Sequence, residues 1–197
     1  TMSETFEVDT RDIKTPDNWV KRHPDLVRLT GAHPFNCEAP LEKLRAAGFI
    51  TPPALHYVRN HGAVPAQVKF TNTTERKVIF ENWRISISGL VDNPVNLTIA
   101  DLMSLKQHQL PVLLVCAGNR RKEQNSIRKT IGFNWGASGL SCNVWKGVRL
   151  CDVLKLAKVK SRAEGAAHVC FSGPKHELPQ GPDGDYATSI DINTALD

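Results

Sequence analysis

No apolar stretch approaches the roughly 20 residues that a membrane helix needs, so the sequence predicts no helical span. No C-x-x-C pair occurs either. Cys37, Cys116, Cys142, Cys151 and Cys170 are widely and irregularly spaced and show no zinc-type spacing with the seven histidines. That pattern fits reduced thiols better than a disulfide framework or a zinc site. The polar start, Thr1 to Arg11, shows neither a secretory signal nor a transit peptide, so the expected location is the cytoplasm and the sequons at Asn72 and Asn96 are read as chance. A dinucleotide fingerprint, a phosphate-binding glycine loop and the aromatic-basic motif of an RNA module are all missing. The net charge of +5 therefore points to an anionic substrate or acidic partner rather than nucleic acid.

What is present suits one globular domain: 41% hydrophobic and 23% charged residues in 197. Residues 1–16 read as a polar tail. Asp17 or Asn18 is placed to cap a short helix that ends near Pro24, with Trp19 as its anchor. His33 to Pro40 reads as an irregular loop, with Cys37 a structural cysteine. Pro40, Leu41, Leu44 and Gly48 read as a helix with proline at its start and glycine past its end. Thr71 to Glu75 is an expected exposed turn, and Trp83, Ile85 and Ile87 alternate with polar residues as a strand ending at Gly89. Thr98 with Asp101 is a capping box opening a helix through Leu105. A further helix is expected from Val148 to Ala157, a strand over Ala167 to Phe171, and a long loop over Gly173 to Asp185.

Two stretches carry chemistry. In the first, Val112 to Cys116 is a short apolar run expected to be a buried strand, breaking into Ala117-Gly-Asn-Arg-Arg-Lys122. Fixed positive charge beside a cysteine favours the thiolate, the nucleophilic and metal-binding form. From that stretch alone, a packed core cysteine followed by a solvated basic turn is the favoured reading. In the second, Leu55-His-Tyr-Val-Arg-Asn-His-Gly62 concentrates two imidazoles, a guanidinium and an amide. If extended, it places Tyr57, Arg59 and His61 on one face and His56, Val58 and Asn60 on the other. A polar strand end with satisfied histidines is the alternative.

The wording of Cys116-Ala-Gly-Asn-Arg-Arg-Lys-Glu-Gln-Asn125, Gly132-Phe-Asn-Trp-Gly136 and Trp145-x-Gly-Val-x-Leu-Cys-Asp-Val153, together with 56–62, resembles the molybdenum domain of eukaryotic assimilatory nitrate reductase, in the sulfite oxidase family. The likeness runs from about Trp19 to Ser189. It implies an α+β fold of mixed sheets and short helices, sulfite-oxidase type, with residues 17–197 the N-terminal part of the molybdopterin-binding catalytic domain. Cys116 would be the protein ligand to molybdenum. His56, Tyr57, Arg59, Asn60, His61 and, more loosely, Glu177 would contact the cofactor. Arg59 and Arg121 would attract nitrate, with Arg120 as a structural or pterin-side salt bridge. Arginine suits that role, since its planar fork stays charged and matches a planar oxyanion. The resemblance further implies nitrate reduction to nitrite, electrons arriving from NAD(P)H through FAD and b-type haem domains outside this chain, and a homodimer. Oxidation of sulfite to sulfate is the alternative chemistry of the same fold.

Overall fold

Twelve prolines and thirteen glycines punctuate the chain, and in the computed structural model no helix among the described residues exceeds ten residues. The structure describes residues 6–65, 69, 73–173 and 187–197. In chain order the strands are β1 (Glu7–Val8), β2 (Lys21–Arg22), β3 (Val27–Arg28), β4 (Asn36–Glu38), β5 (Val58–Arg59), β6 (Arg84–Ile87), β7 (Val95–Thr98), β8 (His108–Val115), β9 (Leu140–Gly147), β10 (His168–Ser172) and β11 (Ala187–Asp191). The helices are α1 (Leu41–Ala47), α2 (Thr73–Asn82), α3 (Ile99–Ser104), α4 (Arg121–Asn125), α5 (Leu150–Leu156) and α6 (Ile192–Leu196). This is an α+β chain of small sheets and short helices, as expected. It folds as two compact units, one of Thr1–Val64 with Leu110–Trp145 and one of Pro65–Gln109 with Lys146–Asp197.

In the first unit β1 pairs with β2, and β3, β4 and β5 form an antiparallel sheet in that order. Pro40 precedes α1, and Gly48 closes it with φ 81°. The expected helix after Asp17 is absent: residues 15–19 are turns followed by β2. Asp17 is fully buried and spends its carboxylate elsewhere, accepting from Arg22 Nη2 at 3.3 Å and the Val64 N–H at 2.8 Å. Residues 6–16 are likewise no loose tail, since they supply β1 and the buried Asp12. Its two oxygens bind Arg22 at 3.0 Å and Arg28 at 2.8 Å, and both guanidiniums lie over the Phe35 ring at 3.6 and 4.5 Å. A buried network of this kind holds together because every charge has a partner. The stretch read as irregular, 33–40, contains the buried strand β4.

The second unit is built more conventionally. β6 and β7 form a hairpin, and α3 opens on the full Thr98–Asp101 capping box. α5 buries Cys151, Val153 and Leu154, α6 buries Ile192 and Ala195, and β10 pairs with β11. The strand expected before Gly89 exists as β6, although Ile85 is exposed. The turn expected at 71–75 is instead, from Thr73, the start of α2. The long loop expected over Gly173 to Asp185 lies outside the described residues beyond Gly173, as does much of Val64 to Thr74.

One correction bears on the site. The apolar run before Cys116 is the strand β8, but it is not buried: Leu113 is 58% and Val115 52% exposed. Among the described residues β8 pairs only with β9, as a two-stranded ribbon. A ribbon satisfies the backbone of its paired edges but covers neither face.

Candidate active site

All the described site residues fall in the first unit. Cys116 sits half-buried just past the end of β8, its N–H donating to the Gly139 carbonyl at 2.8 Å. A turn follows, with the Asn119 N–H donating back to the Cys116 carbonyl at 2.9 Å and Asn119 Oδ1 accepting from the Gly139 N–H at 3.0 Å. The cysteine loop is thus fastened to the residue just before β9. Two residues on, the fully buried Ser141 accepts from the Tyr57 N–H at 3.2 Å, which brings the 56–62 motif to the same place. Tyr57 meets the buried Trp135 edge to face at 6.0 Å. Burial, and then the nearby Cys116, push the Tyr57 hydroxyl above its ordinary pKa.

Residues 132–139, where glycines interleave with Phe133 and Trp135, form a non-repetitive segment that permits close approach. At Gly118 an added Cβ would come within 2.7 Å of the Trp135 ring, and at Gly132, where φ is 120°, within 1.9 Å of Arg121 Nη1. Arg121 therefore lies folded against Gly132. Arg59 lies over the neighbouring Phe133 ring at 5.2 Å. The two arginines singled out in the sequence thus converge on one dipeptide, 132–133. Among the described residues neither is paired with a carboxylate, whereas Arg120 is held by Glu123 and is compensated. That is the structural salt bridge anticipated for Arg120. Burial, and then the charge of Arg59, hold His61 below the ordinary imidazole pKa, which favours its neutral form.

β5 covers only Val58 and Arg59, and the alternation holds in part: Arg59 and His61 are exposed while His56, Val58 and Asn60 are half-buried, but Tyr57, expected on the face of Arg59 and His61, is half-buried too, against Trp135. Two inward atoms have no partner, His56 Nε2 and Asn60 Nδ2, both buried. His56 Nδ1 lies 2.7 Å from the Tyr57 carbonyl, so it carries the proton, and in the neutral ring Nε2 is left as an acceptor. Asn60 Nδ2 is a donor. Buried polar groups are ordinarily bonded, so an orphan acceptor and an orphan donor in one short segment mark a place for a polar ligand. Glu177 lies outside the described residues.

Residues 61–197 match the family model described as the oxidoreductase molybdopterin binding domain. The chain belongs to that family. Over 190 residues it is 52% identical to the NADH nitrate reductase of Volvox carteri, covering 96% of this chain and 21% of that protein. The NAD(P)H nitrate reductase of Betula pendula is 51% identical over 191 residues, 96% of this chain and 20% of that one. This molybdopterin-domain chain thus spans about one fifth of the length of the curated relatives it matches. The sulfane dehydrogenase SoxCD from Paracoccus pantotrophus shares the fold, with TM-score 0.57 and 18% identity over 91% of this chain and 38% of that one. The sulfite-oxidase-type fold expected from the sequence is thereby borne out.

The orphan atoms of His56 and Asn60 fit a molybdopterin, which offers both donors and acceptors, and the half-buried Cys116 offers the soft donor that suits molybdenum. Sequence reading missed two residues that support this site, Asn36 and Glu38. A polar strand of three residues carries no hydrophobic period by which it could be found.

Proposed function

We propose that this chain is the catalytic part of a nitrate reductase, reducing nitrate to nitrite, with Cys116 holding the molybdenum and Arg59 and Arg121 drawing the anion. The observation that carries the reading is the convergence on 132–133, beside the cysteine loop, of two arginines that have no carboxylate partner among the described residues. Nitrate is a flat, weakly basic monoanion. A site for it needs positive charge without competing acids, and a planar guanidinium supplies that charge in matching geometry. The wording shared with the nitrate reductases over nearly the whole chain supports the substrate.

When bound, the molybdenum-molybdopterin group supplies the two-electron oxygen-atom chemistry. The chain's own residues hold and orient. His56 would accept from the cofactor through Nε2 and Asn60 would donate through Nδ2, while Tyr57, packed on Trp135, lies near the cysteine. Neutral His61 adds a hydrogen-bonding group without a second charge. Arg59 and Arg121 concentrate and align the anion, and the same charge stabilises its developing negative oxygen. Electrons would reach the site from NAD(P)H through FAD and b-type haem carried by other parts of the full protein, a cytoplasmic homodimer.

The test measures molybdenum and pterin content, and nitrite formed with reduced viologen, in the longest natural form and in Cys116→Ser. Metal in the parent, with nitrite formation abolished by Cys116→Ser, supports the proposal. Metal with sulfite oxidation and no nitrate reduction transfers it to the sulfite chemistry of the fold. Neither metal nor pterin, in a host that makes the cofactor, overturns it.

A further inference from the structure

β4 touches both arms of the site. Asn36 lies opposite Arg59 in the ladder and Cys37 opposite Val58. Residues directly opposite share a face, and alternate residues along a strand do too, so Asn36, Glu38 and Arg59 lie on one face while Cys37 and Val58 lie on the other. Asn36 is fully buried. Its Oδ1 accepts from the Asn60 N–H at 2.7 Å and from Arg59 Nη1 at 3.4 Å, and its Nδ2 donates to the Pro34 carbonyl at 3.3 Å. Arg59 Nη1 also donates to the Asn60 carbonyl at 2.5 Å. One amide therefore holds the backbone on the far side of Arg59 and touches the guanidinium itself.

Glu38 does the corresponding work on the other arm. Its Oε1 accepts from the Gly136 N–H at 2.9 Å. That N–H belongs to the Trp135–Gly136 peptide, whose carbonyl, Trp135 O, accepts from the Lys122 N–H at 2.9 Å. The next carbonyl, Gly136 O, accepts from the Arg120 N–H at 2.7 Å. Arg121 is thus the residue between two backbone donors, anchored to two successive peptides of which Glu38 holds the first. The second carboxylate oxygen, Oε2, is buried with no partner, so Glu38 gives up solvation to make this one bond. A buried acid that keeps so little for itself serves what it holds.

We propose that Asn36 and Glu38 are positioning residues, which set the separation and aim of Arg59 and Arg121 and so determine how tightly the site takes a planar oxyanion. This rests on the anion-binding reading of the two arginines, and deepens it by naming what spaces them. Two residues of one strand, Asn36 and Glu38, thus tie Arg59 and the backbone flanking Arg121 to a common sheet.

The test is made on the full-length, cofactor-loaded protein, by mapping phenylglyoxal adducts at Arg59 and Arg121 with rising nitrate as protectant. In the parent, nitrate protects both arginines over one concentration range. In Asn36→Ala the half-protecting concentration at Arg59 rises about tenfold, the scale of losing a hydrogen bond to a charged group. KM for nitrate rises in step, with kcat changing less and molybdenum content held. Glu38→Ala does the same at Arg121, and Glu38→Gln, which keeps the acceptor for Gly136, restores most of the loss. Protection at parental concentrations in both alanine variants overturns the proposal. Should those variants fail to fold, Asn36→Asp keeps the acceptor and the shape but sets a carboxylate against Arg59. It must then raise the half-protecting concentration, and parental protection overturns the proposal. A parent in which sulfite, not nitrate, protects both arginines removes the nitrate assignment and leaves the positioning roles to be read with sulfite. A parent in which no anion protects either arginine overturns both.

Discussion

β4 and β8 reverse the usual relation between polarity and burial. β4 reads Asn-Cys-Glu, and all three residues are buried; β8 is an eight-residue strand whose Leu113, Leu114 and Val115 face solvent. The difference lies in what each strand is given to bond. β4 is the middle strand of three, and its polar side chains end on Asn60, Arg59 and Gly136. Among the described residues β8 has one strand neighbour, and Leu113 and Val115 stay more than half exposed. Burial is decided by available partners, and hydrophobic pattern is only a guide to it.

The largest way to break that comparison is to remove a partner beside β4. Asp12→Ala leaves Arg22 and Arg28 without their shared buried carboxylate, and chemical denaturation should show a loss of about 3–5 kcal/mol. A loss below about 1 kcal/mol would mean that water already reaches the network.

Cys37, in the centre of β4, sharpens the same point through pH. Burial pushes its thiol from 9.0 up to about 12. The native state therefore keeps a proton that the unfolded chain has released, and stability falls as pH rises through that window. Between pH 9 and 12 the parent should lose about 1.4 kcal/mol per pH unit relative to Cys37→Ala. Parallel stability curves for the two proteins would show that Cys37 ionises in place. In alkylation mapping at pH 8, exposed Cys170 should react first and Cys37 last.

The second unit offers a contrast in which local pattern suffices. Thr98→Ala removes one half of the α3 capping box, where Thr98 Oγ1 accepts from the Asp101 N–H at 2.9 Å, and should cost about 1 kcal/mol. A melt unchanged from the parent would show that α3 is held by packing alone.

These cases also mark how much the sequence made legible. α1, α3, α5 and β10 follow from caps and periodicity within ten or so residues, which a chain displays openly. The site's two motifs were legible too, because cysteine, arginine and histidine at close spacing announce chemistry whatever the fold. Their support was not. Asn36 and Glu38 matter through partners 24 and 98 residues away, and Asp17, which looks like a helix cap, is taken by Arg22 and Val64. A side chain with two uses goes to the one tertiary structure rewards more, and that competition cannot be seen locally.

The smallest expected effect is the sharpest test of the comparison. Leu113 sits in the most apolar run of the sequence, and periodicity alone would give Leu113→Ser a core substitution's cost, about 2–5 kcal/mol. Its exposure predicts the opposite, a change within about 0.5 kcal/mol, because little apolar surface leaves a packed environment. The measurement is made on this chain and repeated on the longest natural form. A small effect in this chain with a large one in the longer protein would show that the ribbon's face is covered there by residues this chain does not contain. A large effect in this chain would mean that β8 is packed after all, and that the contrast with β4 does not hold.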